Sequence, residues 1–189
     1  MIFTQTRILG AYLIQPRKIE DHRGYFTRLW CDNEFREHGL RTELAQSNAG
    51  FSRQRGTLRG LHFQVAPHSE VKVVRCTRGA MFNVIVDLRP ESPSYKLWVG
   101  VELSEKNSDT LYVPEGCAQG YMTLEDNTEM CYHTSEFYHP ESASGVTYND
   151  PEFGIVWPME ATIISDQDRT WPDYSTRKDQ LRFTMGAGK

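Results

Sequence analysis

Arg59 and His62 stand three residues apart in Gly56-Thr57-Leu58-Arg59-Gly60-Leu61-His62-Phe63-Gln64, a segment that otherwise reads as apolar strand. A guanidinium holds anions, and an imidazole accepts and returns a proton near neutral pH. Together they could bind an anionic ligand and do acid–base chemistry on it. Strand geometry opposes that pairing. Residues i and i+2 share a face, so positions 59 and 62 point apart unless the backbone bends between them. Gly60 can supply a bend or a bulge, a device that re-aims side chains near active sites. On these residues alone the plainer account is favoured, a satisfied half-buried histidine beside a solvated arginine.

The elements that must position these groups are short strands. Aromatic residues are plentiful, with 9 Tyr, 9 Phe and 4 Trp in 189 residues, as β-rich proteins often show. Strand-like runs fall at Ala11–Ile14, Tyr25–Trp30, Ser69–Cys76, Ala80–Leu88, Leu97–Leu103, Thr110–Val113, Gly120–Thr123 and Glu129–Ser135. Turn signals such as Arg78-Gly79, Arg89-Pro90-Glu91-Ser92-Pro93 and Pro114-Glu115-Gly116 separate them, the pattern of a sandwich or barrel. Asp32–Gly39 reads as a helix that Asp32 could cap and Gly39 ends, and Asp166–Thr170 as a short second one. The expectation is all-β: one jelly-roll domain over 1–189, with an irregular C-terminal tail from about residue 151.

Composition bounds the partners. The formal net charge of −4 argues against a nucleic-acid partner, which needs a broad basic face. Within 53–78, however, Arg53, Arg55, Arg59, Lys72, Arg75 and Arg78 stand against Glu70 alone. That fits a phosphate or diphosphate, and equally an edge strand kept soluble by arginines. Cys31, Cys76, Cys117 and Cys131 are scattered without a CxxC pair or zinc spacing. Met1–Pro16 carries no leader-like apolar core, and no apolar run is long enough to span a bilayer. A soluble cytoplasmic protein with free thiols and no membrane partner is expected.

The Gly60-Leu61-His62 strand and the Pro114-Glu115-Gly116 turn invite comparison with cupins, small jelly-roll barrels (double-stranded β-helices) that usually hold a metal. A cupin metal site would place further histidines at Gln64 and Gln119. One imidazole and two amides are a poor set for a transition metal. The expectation is therefore no metal and no cofactor.

Taken in order, Arg23-Gly24-Tyr25-Phe26, Gln46-Ser47-Asn48, Gly56 through Gln64, Lys72-Val73-Val74-Arg75, Val86-Asp87-Leu88-Arg89, Val113-Pro114-Glu115-Gly116, Tyr132, Tyr138-His139-Pro140, Tyr148-Asn149-Asp150-Pro151 and Trp157-Pro158 resemble the dTDP-4-dehydrorhamnose 3,5-epimerase family. The resemblance runs from about Ile8 to Tyr174. It implies a cupin-like homodimer that inverts C3 and/or C5 of a nucleotide-linked 4-keto-6-deoxy sugar, dTDP-linked by preference, without metal. By the same resemblance His62 is the base, Asp168 orients it, Lys72 stabilises the enolate, and Tyr132 returns a proton on the opposite face. Arg59 and Arg23 would hold the diphosphate or nucleotide, with some of these residues supplied by the partner subunit. Gln46, Asn48 and Tyr138 would line the nucleotide and sugar pocket. On residue type alone, Lys72 reads as an outward strand lysine, Tyr132 as a core aromatic and Asp168 as a helix-start carboxylate.

Three positions depart from the family pattern. Gln119 stands where the family usually has histidine, and Asn83 where it usually has aspartate, two positions that lie near each other and near the sugar in the family. The exchange keeps hydrogen bonding but removes charge and proton transfer. It leaves open which sugar is used and whether one or both carbons invert. Arg28 stands where several members carry an acid, a change that would bear on nucleotide preference. A catalytically altered or silent sugar-nucleotide-binding member, and a metal-dependent cupin, remain the alternatives; the retained His62, Tyr132 and Asp168 speak against the first, Gln64 and Gln119 against the second.

Overall fold

The computed structural model describes residues 1–183. The chain begins with β1 (Ile2–Gln5), β2 (Tyr12–Gln15), and the hairpin of β3 (Lys18–Asp21) and β4 (Gly24–Thr27). Helix α1 (Asp32–Glu37) follows, then β5 (Gln46–Ser52), β6 (Thr57–Gln64), β7 (Lys72–Arg78), β8 (Ala80–Asp87), β9 (Trp98–Ser104), β10 (Thr110–Val113), β11 (Cys117–Thr123) and β12 (Thr128–Thr134). The tail adds β13 (Ala143–Gly145), β14 (Ile163–Ile164), α2 (Asp166–Thr170) and two 3₁₀ turns at Tyr174–Thr176 and Lys178–Gln180.

The strands form two sheets, in the orders β1-β2-β10-β7-β12-β5 and β13-β6-β11-β8-β9, with β14 lying parallel to β6. Val74, Cys76, Leu111 and Met130 of the first sheet pack against Met81, Ile85, Leu103 and Tyr121 of the second. This is the expected jelly-roll arrangement. Among the described residues its two sheets are separate ladders and not one closed ring of strands.

Two local readings differ from expectation. The helix is capped at Cys31 without a side-chain hydrogen bond, and Asp32 instead pairs with Arg36 one turn on, at 2.8 Å. The Tyr25–Trp30 run shortens to β4, which among the described residues pairs only with β3, and Ile19, Tyr25 and Phe26 stay exposed.

The tail does more than cover the core. Ile163 and Ile164 pair with Thr57 and Leu58 of β6. The Ser165 hydroxyl then caps α2 by accepting from the Asp168 N–H at 3.1 Å, a standard N-cap bond. That anchoring fixes where the residues of α2 meet β6.

Candidate active site

The bend expected at Gly60 is present. His62 pairs with Gln119 and Arg59 with Tyr121, so three steps along β6 span two along β11. Gly60 has φ +116°, and a Cβ there would lie 2.6 Å from the Gly120 Cα. Only glycine fits so close a backbone approach at that angle. In consequence Arg59 and His62 both line one cleft of about 610 Å³ between the sheets.

The cleft is layered by strand register. Its middle layer holds His62 and Gln119 on one sheet and the Tyr132–Asn48 pair on the other. One layer to the side lie Gln64, Lys72, Thr134 and Gln46, and to the other Arg59, Tyr121, Met130 and Gly50. The residue pattern alone could not exclude an outward Lys72 or a core Tyr132. The structure turns both into the cleft.

His62 and Asp168 form a tight pair, with 2.5 Å between Nε2 and Oδ1. Asp168 also accepts from the Gly60 N–H at 3.2 Å and the Trp171 indole N–H at 3.2 Å. Trp171 fits because Gly145 has no side chain, since a Cβ there would come within 2.4 Å of the indole. Burial works against ionisation of Asp168. The hydrogen bond and charge of His62 and the Gly60 N–H outweigh it, so the carboxyl is held below its usual range. With Nε2 engaged by a carboxylate, Nδ1 is the nitrogen left to act on a ligand.

Across the cleft, Lys72 is buried, 3.2 Å from Glu70 and 3.3 Å from the His62 carbonyl. Burial, with the neighbouring Glu70 and Tyr121, pushes the Tyr132 phenol above its ordinary pKa, so it stays protonated and able to donate. Arg59 is exposed at the cleft wall, its guanidinium donating to the Phe51 carbonyl at 3.2 Å. At the rim the Gln46 carbonyl oxygen accepts from the Tyr138 N–H at 2.6 Å, setting the exposed Tyr138 over the opening.

Arg23 and Arg28 are not brought to this cleft. Arg23 sits on the β3–β4 hairpin, paired with Asp21 at 2.5 Å, and Arg28 pairs with Glu34 at 3.1 Å. Conversely, Glu70, Tyr121, Gln167 and Trp171 line the cleft without having been singled out. Glu70 had a signal, standing two residues before Lys72 and so on the same side of an extended chain. Trp171 had none, because its place depends on the tail.

The amides that replace cupin ligands are engaged elsewhere. Gln64 donates to the carbonyls of His68 and Phe137, each at 3.0 Å, and accepts from the His139 N–H at 2.7 Å. Gln119 donates to the Asn83 carbonyl oxygen at 3.2 Å. Among the described residues one group, His68, Glu136 and His139, has donor atoms close enough for an ion. Its two rings are stacked 3.4 Å apart and nearly parallel, at 8°. Imidazole lone pairs lie in the ring plane, so these two do not converge on one ion as placed.

A family model described as dTDP-4-dehydrorhamnose 3,5-epimerase matches residues 5–176. A dTDP-4-dehydrorhamnose 3,5-epimerase of Sinorhizobium fredii is 43% identical over 173 residues, covering 91% of this chain and 89% of the relative. The crystal structure of the enzyme of that name from Elizabethkingia anophelis superimposes with a TM-score of 0.91 at 34% identity, covering 94% and 98% of the two chains. That from Bacillus anthracis, with TDP and PPi bound, gives 0.88 at 39% identity, covering 91% and 98%.

Proposed function

The chain belongs to the dTDP-4-dehydrorhamnose 3,5-epimerase family, and we propose that it inverts C3 and/or C5 of a dTDP-linked 4-keto-6-deoxy sugar. One observation carries this reading: His62 on one sheet, backed by Asp168 of α2, faces Lys72 and Tyr132 on the other sheet across a single cleft. Inversion needs a base on one face of a carbon and a proton donor on the opposite face.

The steps follow from that placement. His62 Nδ1 takes the proton from the carbon next to the ketone, and the electrons of the broken C–H bond move into a C–C double bond and onto the ketone oxygen. The Lys72 ammonium neutralises the resulting enolate oxygen, the part of the transition state where charge develops. Tyr132 then gives its proton to the same carbon from the far side, and the enolate collapses back to the ketone. Asp168 stabilises the imidazolium in the interval and fixes its tautomer, as a carboxylate does for any such base. Proton exchange with solvent restores neutral His62 and the Tyr132 phenol. Arg59 holds the diphosphate, while Gln46, Asn48 and Tyr138 line the nucleotide and sugar positions.

Arg23 and Arg28 enter the site of a second copy in a homodimer. The β3–β4 hairpin supports this, since among the described residues it pairs with no other strand and presents Ile19, Tyr25 and Phe26 to solvent. An apolar exposed ribbon of this kind is a protein contact surface. Light scattering tests the dimer, and a monomer that retains full activity contradicts it. The cytoplasm is the proposed location. Cys31, Cys76, Cys117 and Cys131 are free thiols, and among the described residues no helix is long and apolar enough to cross a membrane.

The activity is tested by incubating the protein with dTDP-4-keto-6-deoxyglucose, reducing the ketone chemically, and assigning the hexose configurations by NMR. Products inverted at C3, C5 or both support the reading. Recovery of the original configuration alone, at protein concentrations equal to substrate, refutes it.

A further inference from the structure

Glu70 is the lone acid in the basic stretch 53–78, and the reaction above does not use it. It lines the cleft together with Lys72 and Tyr132. A carboxylate in that place needs a reason, because it repels the negative charge that enolisation puts on the ketone oxygen. Its seat is well defined. The Val71 N–H donates to the Ser135 hydroxyl at 2.8 Å, and the Ser135 N–H to the Val71 carbonyl at 3.1 Å. These bonds hold the segment along the end of β12. Glu70 Oε1 lies 3.2 Å from Lys72 Nζ, and Oε2 accepts from Gln64 Nε2 at 3.4 Å. Both partners of the ion pair are nearly covered, with side-chain exposures of 11% for Glu70 and 9% for Lys72.

Lys72 and Tyr132 set up a conflict of charge. In the ladder Lys72 stands opposite Thr134 and Val74 opposite Tyr132. Lys72 and Tyr132 are therefore diagonal neighbours on one face, within reach of each other's long side chains. An ammonium that close favours the phenolate, which has no proton to give. Burial opposes that ionisation, and the charge of Glu70, then of Tyr121, opposes it further.

The other ionisable groups on the cleft are Arg59 and His62 from β6, Tyr121 from β11 and Tyr138 at the rim, with Asp168 of α2 behind His62. β5, the second neighbour of β12, has no ionisable side chain. Among the described residues, Glu70 is the carboxylate that acts on Tyr132.

We propose that Glu70 is a positioning residue for the proton-return step: its carboxylate holds the Lys72 ammonium in the cleft and offsets that charge at Tyr132, so that a cation and a neutral phenol coexist on one wall. This rests on the epimerase reading for the roles of Lys72 and Tyr132.

The phenol is read directly, without substrate, by NMR of protein isotopically labelled at tyrosine Cζ, the Tyr132 signal being the one lost in Tyr132→Phe. In Glu70→Gln this signal titrates at lower pH than in the parent, whereas Glu70→Asp, which keeps the charge, stays closer to the parent. With dTDP-4-keto-6-deoxyglucose, the ratio of inverted to exchanged product falls off at correspondingly lower pH in Glu70→Gln. Glu70→Leu matches Glu70→Gln in charge but cannot accept from Lys72. Its α-proton exchange near neutral pH is about three- to tenfold slower than that of Glu70→Gln, the range of one hydrogen bond. A Tyr132 titration unmoved by Glu70→Gln overturns the charge offset, and equal exchange in the Gln and Leu variants overturns the hold on Lys72. A Tyr132 signal that moves as expected in a protein that inverts nothing sinks the epimerase reading and leaves the charge offset standing.

Discussion

Replacing Asp168 by Asn keeps the shape of the side chain and tests what the carboxylate does. Two oxygens of Asp168 serve three donors: Oδ1 accepts from His62 Nε2 and Trp171, and Oδ2 accepts from the Gly60 N–H. An amide has one oxygen. If that oxygen takes the Oδ1 place, the NH₂ meets the Gly60 N–H, a clash of donors in a buried site. If it takes the Oδ2 place, the NH₂ donates to His62 Nε2, forces the proton onto Nδ1 and removes the base. In both cases the imidazolium loses its counter-charge. The expected loss in α-proton exchange is about 10²–10⁴-fold, the usual worth of an acid–base group. One unsatisfied buried donor costs about 1–3 kcal/mol. The thermal midpoint should then fall by about 2–12 °C for a chain of this length. Exchange is read by NMR in deuterated water, and dTDP affinity, which Asp168 does not touch, serves as the control. Exchange within about threefold of the parent, below the smallest worth of such a group, would refute the idea that Asp168 organises the base.

Tyr132→Phe should keep α-proton exchange, since the enolate can be reprotonated from the His62 side, while inversion falls about 10²–10⁴-fold; NMR integration of exchanged against inverted product reads both. Because the Tyr132 pKa is raised by burial, the alkaline loss of inversion in the parent should lie above pH ~10, the ordinary tyrosine value. Asp87 is fully buried and accepts from Arg89 at 2.7 and 2.8 Å and from Ser92 and Ser94. Asp87→Asn should cost about 3–5 kcal/mol by urea denaturation, with no change in dTDP affinity. Burial opposes ionisation of Asp87, but Arg89 and the serines hold its pKa below the ordinary value. Its stabilisation is therefore present above pH ~4 and lost as pH falls through the lower native value. Activity should survive exhaustive dialysis against EDTA, with loss and zinc-dependent recovery as the contrary result.

Much of the fold could be read from the chain because its strands carry local signals. Thr110–Val113 and Asp166–Thr170 fall where their turns and caps place them. β5 carries no strand signal, because Gln46-Ser47-Asn48-Ala49-Gly50 has the composition of a loop. It becomes a strand through seven pairings with β12, a long-range contact that no local pattern encodes. The same holds for the site. Arg59 and His62 were visible through Gly60, whose effect is local. Asp168 reaches His62 only through β14 pairing with β6, and family resemblance, not spacing, pointed to it. Tyr121 has the pattern of any aromatic in a buried strand, and its place on the cleft follows only from the register of β11 against β6. Arg23 and Arg28 mark the opposite limit, because their proposed role lies beyond one chain.

In the proposed mechanism His62 removes a proton α to the ketone from one side of the cleft and Tyr132 replaces it from the other. The most direct test follows dTDP-4-keto-6-deoxyglucose in deuterated water with EDTA present, comparing parent, His62→Ala and Tyr132→Phe by NMR at C3 and C5. The expected result is deuterium with inversion in the parent, deuterium with little inversion in Tyr132→Phe, and neither in His62→Ala. Deuterium entering at the parental rate in His62→Ala would contradict it.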